Sequence, residues 1–216
     1  MNPLPARFEE RYHKFKSKPD YTAVHLDKKK LEKYAQDFVT IYNSAWAQHG
    51  EEKAITLPQI IKLFNSLKAV MDERVIWFAY YKQEPIAMFI NIPDVNQYFK
   101  YFNGNLGLWQ KLHLLWMKWT GQNNKLTGLA FGVVPKYQAL GIDSFLINSC
   151  HILLNEIKLY DEYEMGWAGD WNPKMVNIYK SLDANPSRRM VTFRYIFDAK
   201  SHPFERHPIM EYKTGG

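Results

Sequence analysis

The sequence predicts a mixed α/β (α+β) fold: a central mixed sheet flanked by helices, with a helical insertion between the third and fourth strands. Three observations carry this. Strand-like and helix-like segments alternate through the second half of the chain. Two runs rich in Ile, Phe, Tyr and Val, residues 75–82 and 85–92, follow one another across Gln83-Glu84, which reads as a hairpin connection. The remaining long segments carry apolar residues at three- and four-residue steps, the spacing of one helix face.

Each element follows in order. Residues 21–26 (Tyr-Thr-Ala-Val-His-Leu) form a first strand after the Pro19-Asp20 turn. Leu31, Tyr34, Ala35, Phe38, Ile41, Tyr42, Ala45 and Trp46 make one stripe of a helix, with Lys30, Lys33 and Asp37 outside it and Gly50 able to end it. A second helix starts at Thr56-Leu57-Pro58, where Thr caps and Pro suits the first turn, and buries Ile60, Ile61, Phe64 and Leu67. After the hairpin, residues 94–101 predict a short helix, Asn103-Gly104-Asn105 a break, and residues 106–119 a second helix. Trp109, Leu112, Leu115, Trp116 and Trp119, joined by Leu108, Leu114 and Met117, make that helix apolar nearly all round, which predicts burial on more than one side. An acyl-chain pocket or a partner surface is the alternative reading. A strand over 126–134, a helix over 141–159, a strand over 163–169, a helix over 172–182 and a strand over 190–197 complete the order, with an aperiodic tail over 198–216.

Composition excludes several classes. At 46% hydrophobic and 23% charged, the 216-residue chain is not of disordered type, and no apolar run approaches the roughly 20 residues of a membrane helix. No signal-peptide core opens it, and its one cysteine, Cys150, forms no internal disulfide, so a cytoplasmic location is expected. The net charge of +6 is concentrated near the N-terminus, where residues 1–33 hold nine basic and five acidic side chains. Residues 1–20 therefore read as a basic leader or linker, and no nucleic-acid partner is expected. The histidines are scattered, and His202 and His207 make a poor pair for a metal, so no metal site is expected.

The most informative stretch is residues 132–143, Gly-Val-Val-Pro-Lys-Tyr-Gln-Ala-Leu-Gly-Ile-Asp, where a strand turns directly into a helix. Such a junction aims several unpaired backbone N–H groups and the positive helix end at one point, where anions such as a pyrophosphate bind. This strand–Pro–x–Tyr–Gln–x–x–Gly–x–x–helix run resembles the acetyl-CoA motif of the GNAT acyltransferases. Asn172 and Tyr179, seven apart on a later helix, match the GNAT pattern as well, as does the order of elements. Residues 41–46, Pro93-Asp94-Val95-Asn96, Phe102-Asn103-Gly104, Trp167 and residues 194–196 resemble the second half of uncharacterised bacterial two-domain GNAT-like proteins.

The resemblance implies a GNAT-like domain over 21–197 and acetyl-CoA or another acyl-CoA as substrate, its diphosphate cradled by Val133, Val134, Gln138, Ala139, Leu140, Gly141 and Ile142. It places Asn172 on the cofactor arm and Tyr179 beside the thioester sulfur as proton donor. The implied partners are a small-molecule or lipid amine acceptor, and either a second copy of the chain or another GNAT-like domain. Alternation along the 163–169 strand sets Glu164 and Asp170 on one face, where either could relay the amine proton. Ala139, Leu140 and Asp143 depart from the family motif. The alternative function is accordingly a non-catalytic GNAT-fold binding or interaction module that has lost CoA binding.

Overall fold

Five strands form one mixed sheet in the order β1 (Tyr21–His25), β2 (Ile76–Tyr81), β3 (Glu84–Pro93), β4 (Lys125–Val133) and β5 (Glu162–Glu164). The first three pairings are antiparallel and the last is parallel. The computed structural model describes residues 3–46, 54–169, 172–191, 193, 195 and 197, so Gly50 and Asp170 lie outside the described residues. The chain divides into two compact units, residues 1–166 and 167–216.

Helices cover both faces of the sheet. α2 (Leu31–Trp46) lies on one face, with Tyr34 ring-to-ring on Phe78 at 5.1 Å, and α3 (Leu57–Leu67) packs on α2 through Phe64 against Phe38 at 5.8 Å. α1 (Ala6–Lys16) and α6 (Ile142–Ile157) pack together on the other face, where Tyr12 and Phe15 meet Phe145. Two covered faces explain why consecutive residues of β2 are buried. Cys150 of α6 lies in this interior, and burial pushes its thiol up to about 12.

Local chemistry accounts for the element ends. At the start of α3, the Gln59 side chain reaches back so that its Oε1 accepts from Thr56 N and Thr56 Oγ1, each at 2.9 Å. The β2–β3 turn is Lys82-Gln83, one residue earlier than expected. Both have positive φ, +47° and +72°, which matches the twist of a two-residue hairpin and lets Glu84 pair with Tyr81. Asp37, expected outside the α2 stripe, is buried: its carboxylate accepts hydrogen bonds from Tyr80 Oη at 2.6 Å and Lys33 Nζ at 2.7 Å. Those partners offset the desolvation of its charge.

Three other expectations are corrected. Residues 6–16 are not a solvated leader but a helix, because Phe8 and Phe15, seven apart, bury one face of it, and both are buried. The expected strand over 163–169 stops at Glu164, since its pairing with β4 ends there. The described residues of 190–197 carry no strand, and Phe193, Tyr195 and Phe197 stand exposed; alternation marks a face but supplies no edge to pair with.

The insertion between β3 and β4 consists of α4 (Asn96–Phe99) and α5 (Leu108–Trp119). It has a small core of its own, in which Leu114 and Met117 pack with Val70, Tyr98 and Phe102. The expected burial on several sides is not found: the six other Leu and Trp residues of α5 are exposed, Trp109 to 78% and Trp119 to 85%. In the second unit, α7 (Pro173–Ser181) is capped by Asn172, whose Oδ1 accepts from Met175 N at 3.2 Å.

Candidate functional site

β4 outruns its parallel partner. Pairing covers only Lys125↔Glu162, Leu126↔Tyr163 and Thr127↔Glu164, whereas β4 continues to Val133. From Leu129 onward its outer edge has no strand partner among the described residues. Leu129 is also the extra residue of a bulge, because Asn91 opposes Gly128 while Ile90 opposes Ala130. Gly128 is required here: a Cβ would stand 2.8 Å from Tyr163 Oη, which passes over this position to donate to the buried Asn91 Oδ1 at 2.8 Å. On the opposite side, the Trp46 ring lies against Gly132, where a Cβ would meet it at 2.7 Å.

The chain then turns into α6. Val134 N–H is tied to Ile86 O at 2.9 Å, Pro135–Tyr137 form one 3-10 turn, and Gln138 Nε2 donates to Val133 O at 3.0 Å. Val134 and Gln138 thus brace the turn. Ala139 and Gly141 both have positive φ, +60° and +97°, which swings the backbone round to begin the helix. The first helical hydrogen bond is Phe145 N to Gly141 O at 3.1 Å, and no side chain among the described residues caps the helix. The N–H groups of Ile142, Asp143 and Ser144 therefore have no protein acceptor among the described residues, as the first turn of an uncapped helix requires. The Asp143 carboxylate makes no hydrogen bond or ion pair with the described residues, so it does not occupy them.

Arg11 comes from α1 to this junction. Its Cδ would touch a Cβ on Gly141 at 3.1 Å, and its Nη1 lies 3.3 Å from Oγ of the buried Ser144. A guanidinium, a helix N-terminus and three unpaired N–H groups are assembled at one place, and all attract an anion. Arg11 is absent from the sequence-derived site, although its position between Phe8 and Phe15 on a helical stripe carries the signal.

Of the expected proton carriers, Glu164 lies in the first unit and Tyr179 in the second. The Glu164 carboxylate holds Lys125 Nζ at 2.8 Å, and Glu162 shares the same ammonium at 3.1 Å. Its hydrogen bonds to both carboxylates push the Lys125 ammonium up from its ordinary range. Tyr179 is half-buried on α7, and burial raises its phenol, which keeps it protonated at neutral pH. Asn172 caps that helix, and Asp183 after it has φ +56°, a conformation glycine favours.

A cleft of about 200 Å³, away from the junction, is lined by Lys28, Asp72, Arg74, Tyr98, Lys118 and Tyr160 among others. Asp72 accepts from Arg74 Nη2 and Tyr160 Oη, each at 2.7 Å. Burial opposes its charge, but these bonds outweigh it and hold the carboxyl below its ordinary range.

No protein-family model matches the chain. The "Bacterial ceramide synthase" of Caulobacter vibrioides (strain NA1000 / CB15N) is 25% identical over 162 residues, 73% of this chain and 42% of that protein. The chain spans about two-fifths of the length of the curated relatives it matches. Among solved structures, an aminoglycoside acetyltransferase from an uncultured soil metagenomic sample superposes with a TM-score of 0.52 at 11% identity, covering 84% of this chain and 99% of that one. The aminoglycoside N-acetyltransferase AAC(6')-Iy in complex with CoA superposes with a TM-score of 0.50 at 11% identity, covering 81% and 94%. Likeness at this identity establishes the shared architecture.

Proposed function

We propose that this chain, which has the GNAT acetyltransferase fold, transfers an acyl group from an acyl-CoA thioester to an amine, with a small-molecule or lipid amine as acceptor and the cytoplasm as compartment. The observation that carries the reading is the β4–α6 junction, with the free N–H groups of residues 142–144 and Arg11 beside them. These groups would hold the diphosphate. The thioester supplies an activated acyl group. The open β4 edge beyond Leu129 offers backbone groups to an extended amide-bearing arm. Support for a lipid amine comes from the relative named as a ceramide synthase, a ceramide being the N-acyl amide of a long-chain amine.

In the transfer, the amine loses a proton, its lone pair forms the C–N bond, the C–S bond breaks, and the departing thiolate takes a proton. Backbone N–H groups along β4 would stabilise the charge on the carbonyl oxygen. Tyr179 is the proposed proton donor, by resemblance to the family, and Glu164 or Asp170 the proposed acceptor. Asn172 would meet the cofactor arm.

Asp143 favours the second reading, a non-catalytic module, because a carboxylate in the first turn repels phosphate. That repulsion is about 0.7 kcal/mol per unit charge at about 6 Å in water-like surroundings. Charge-assisted hydrogen bonds contribute about 1.5–3 kcal/mol each, so Arg11 and the N–H groups outweigh it. Titration calorimetry with CoA, acetyl-CoA and a long-chain acyl-CoA tests the first reading. Saturable heat supports it, and none at millimolar ligand leaves the module. In an active protein, Tyr179→Phe lowers turnover with little change in CoA affinity, and a wild-type rate removes Tyr179 from the mechanism.

A further inference from the structure

We propose that α5 is a membrane-surface helix, which seats this protein on a bilayer containing anionic phospholipid. The inference rests on side-chain placement in the insertion and holds whether or not the acyltransferase reading does.

The solvent side of α5 is its apolar side. Leu108, Trp109, Leu112, Leu115, Trp116 and Trp119 recur at three- and four-residue steps, and all are exposed. The helix cannot turn this stripe inward, because its opposite face is already committed to the small core of Leu114, Met117, Val70, Tyr98 and Phe102. Leu106 and Tyr101, just before the helix, are also exposed and extend the apolar character of the insertion. A contiguous patch of this kind marks a surface that is covered in use.

Charge selects what covers it. From Val95 to Ile142 the sequence has no Asp or Glu, and it has five lysines, Lys100, Lys111, Lys118, Lys125 and Lys136. Lys111 and Lys118, seven apart, border one side of the stripe, and exposed His113 borders the other. Lys118 is drawn inward, with Nζ donating to Ala69 O, while Lys100 and Lys111 stand in solvent. A row of Trp and Leu edged by cations and free of acids matches the boundary between lipid headgroups and acyl chains: tryptophan prefers that depth, and lysine meets the phosphates. The helix has only 12 residues, and no helix among the described residues is long and apolar enough to cross a membrane, so α5 lies on the surface.

The test is co-sedimentation of the 216-residue protein with vesicles of phosphatidylcholine alone and with added phosphatidylglycerol, at low and high salt, with tryptophan quenching by lipids brominated in the acyl chain. Binding that requires the anionic lipid, weakens with salt and quenches tryptophan is the expected result. Trp109→Ser with Trp119→Ser, both at exposed positions, should weaken partitioning at least tenfold while the melting temperature and circular dichroism stay as in the wild type. Lys100→Glu with Lys111→Glu, a second and independent variant, should abolish the preference for anionic vesicles. Absence of vesicle binding by the wild type, indifference to headgroup charge, or undiminished binding by the tryptophan variant overturns the proposal. Concentration-dependent self-association without vesicle binding also overturns it, and assigns the face to a second copy. CoA calorimetry on the same samples reads the acyltransferase proposal separately.

Discussion

Arg11 Nη1 stands 3.3 Å from Ser144 Oγ, 133 residues away, which brings α1 to the first turn of α6. Should the diphosphate bind there, Arg11→Ala removes one charge-assisted contact and lowers CoA affinity about tenfold or more. Asp143→Asn acts in the opposite direction, tightening binding a few fold. Calorimetry on both variants checks the pair, and equal affinities in both and in the wild type would move the site away from this turn.

The two left-handed residues of the turn predict opposite effects. Ala139 has a Cβ at φ +60°, so Ala139→Gly relieves strain and stabilises by about 0.5–1 kcal/mol after the greater freedom of unfolded glycine is subtracted. Gly141 has φ +97°, where a side chain is strained, and its Cβ would crowd Arg11 Cδ at 3.1 Å, so Gly141→Ala destabilises by about 1–3 kcal/mol. Urea unfolding of the two variants reads both signs.

Tyr137 is buried, and its hydroxyl has no hydrogen-bond partner among the described residues. Tyr137→Phe removes that unsatisfied group and keeps the ring contact with Tyr81, so stability rises by about 1 kcal/mol. A lower melting temperature in this variant would mean that the hydroxyl is bonded in solution.

Asp72 predicts a pH dependence. Its folded carboxyl titrates below the unfolded value, so its stabilising contribution is complete above about pH 4 and is lost as the pH falls through the depressed folded value. Asp72→Asn removes this component. Melting temperatures of wild type and variant should therefore converge toward acid and differ most at neutral pH.

Much of the fold is legible from sequence because it depends on local patterns. The α2 stripe, the helix start at Thr56 and the hairpin runs are decided within a few residues, as is the strand-to-helix turn at 132–143. What escapes depends on partners distant in sequence. Asp37 reads as a surface acid until Tyr80, 43 residues away, is seen bonded to it. Gly128 carries no motif, yet it lets Tyr163 reach Asn91 across β4. The outward apolar face of α5 follows the same rule: periodicity shows that a stripe exists, and only the packing of Leu114 and Met117 shows which way it points. The site divides likewise, since the turn is a local signature whereas Arg11 arrives from another helix.

Cys150 gives the interior a built-in chemical probe. A thiol held between α6 and the sheet, with its ionisation suppressed, reacts with alkylating agents only when that layer opens. With one such group in 216 residues, the rate of labelling reports opening of a single defined region without any engineered tag. A ligand that clamps the start of α6 would therefore register as slower modification midway along the same helix.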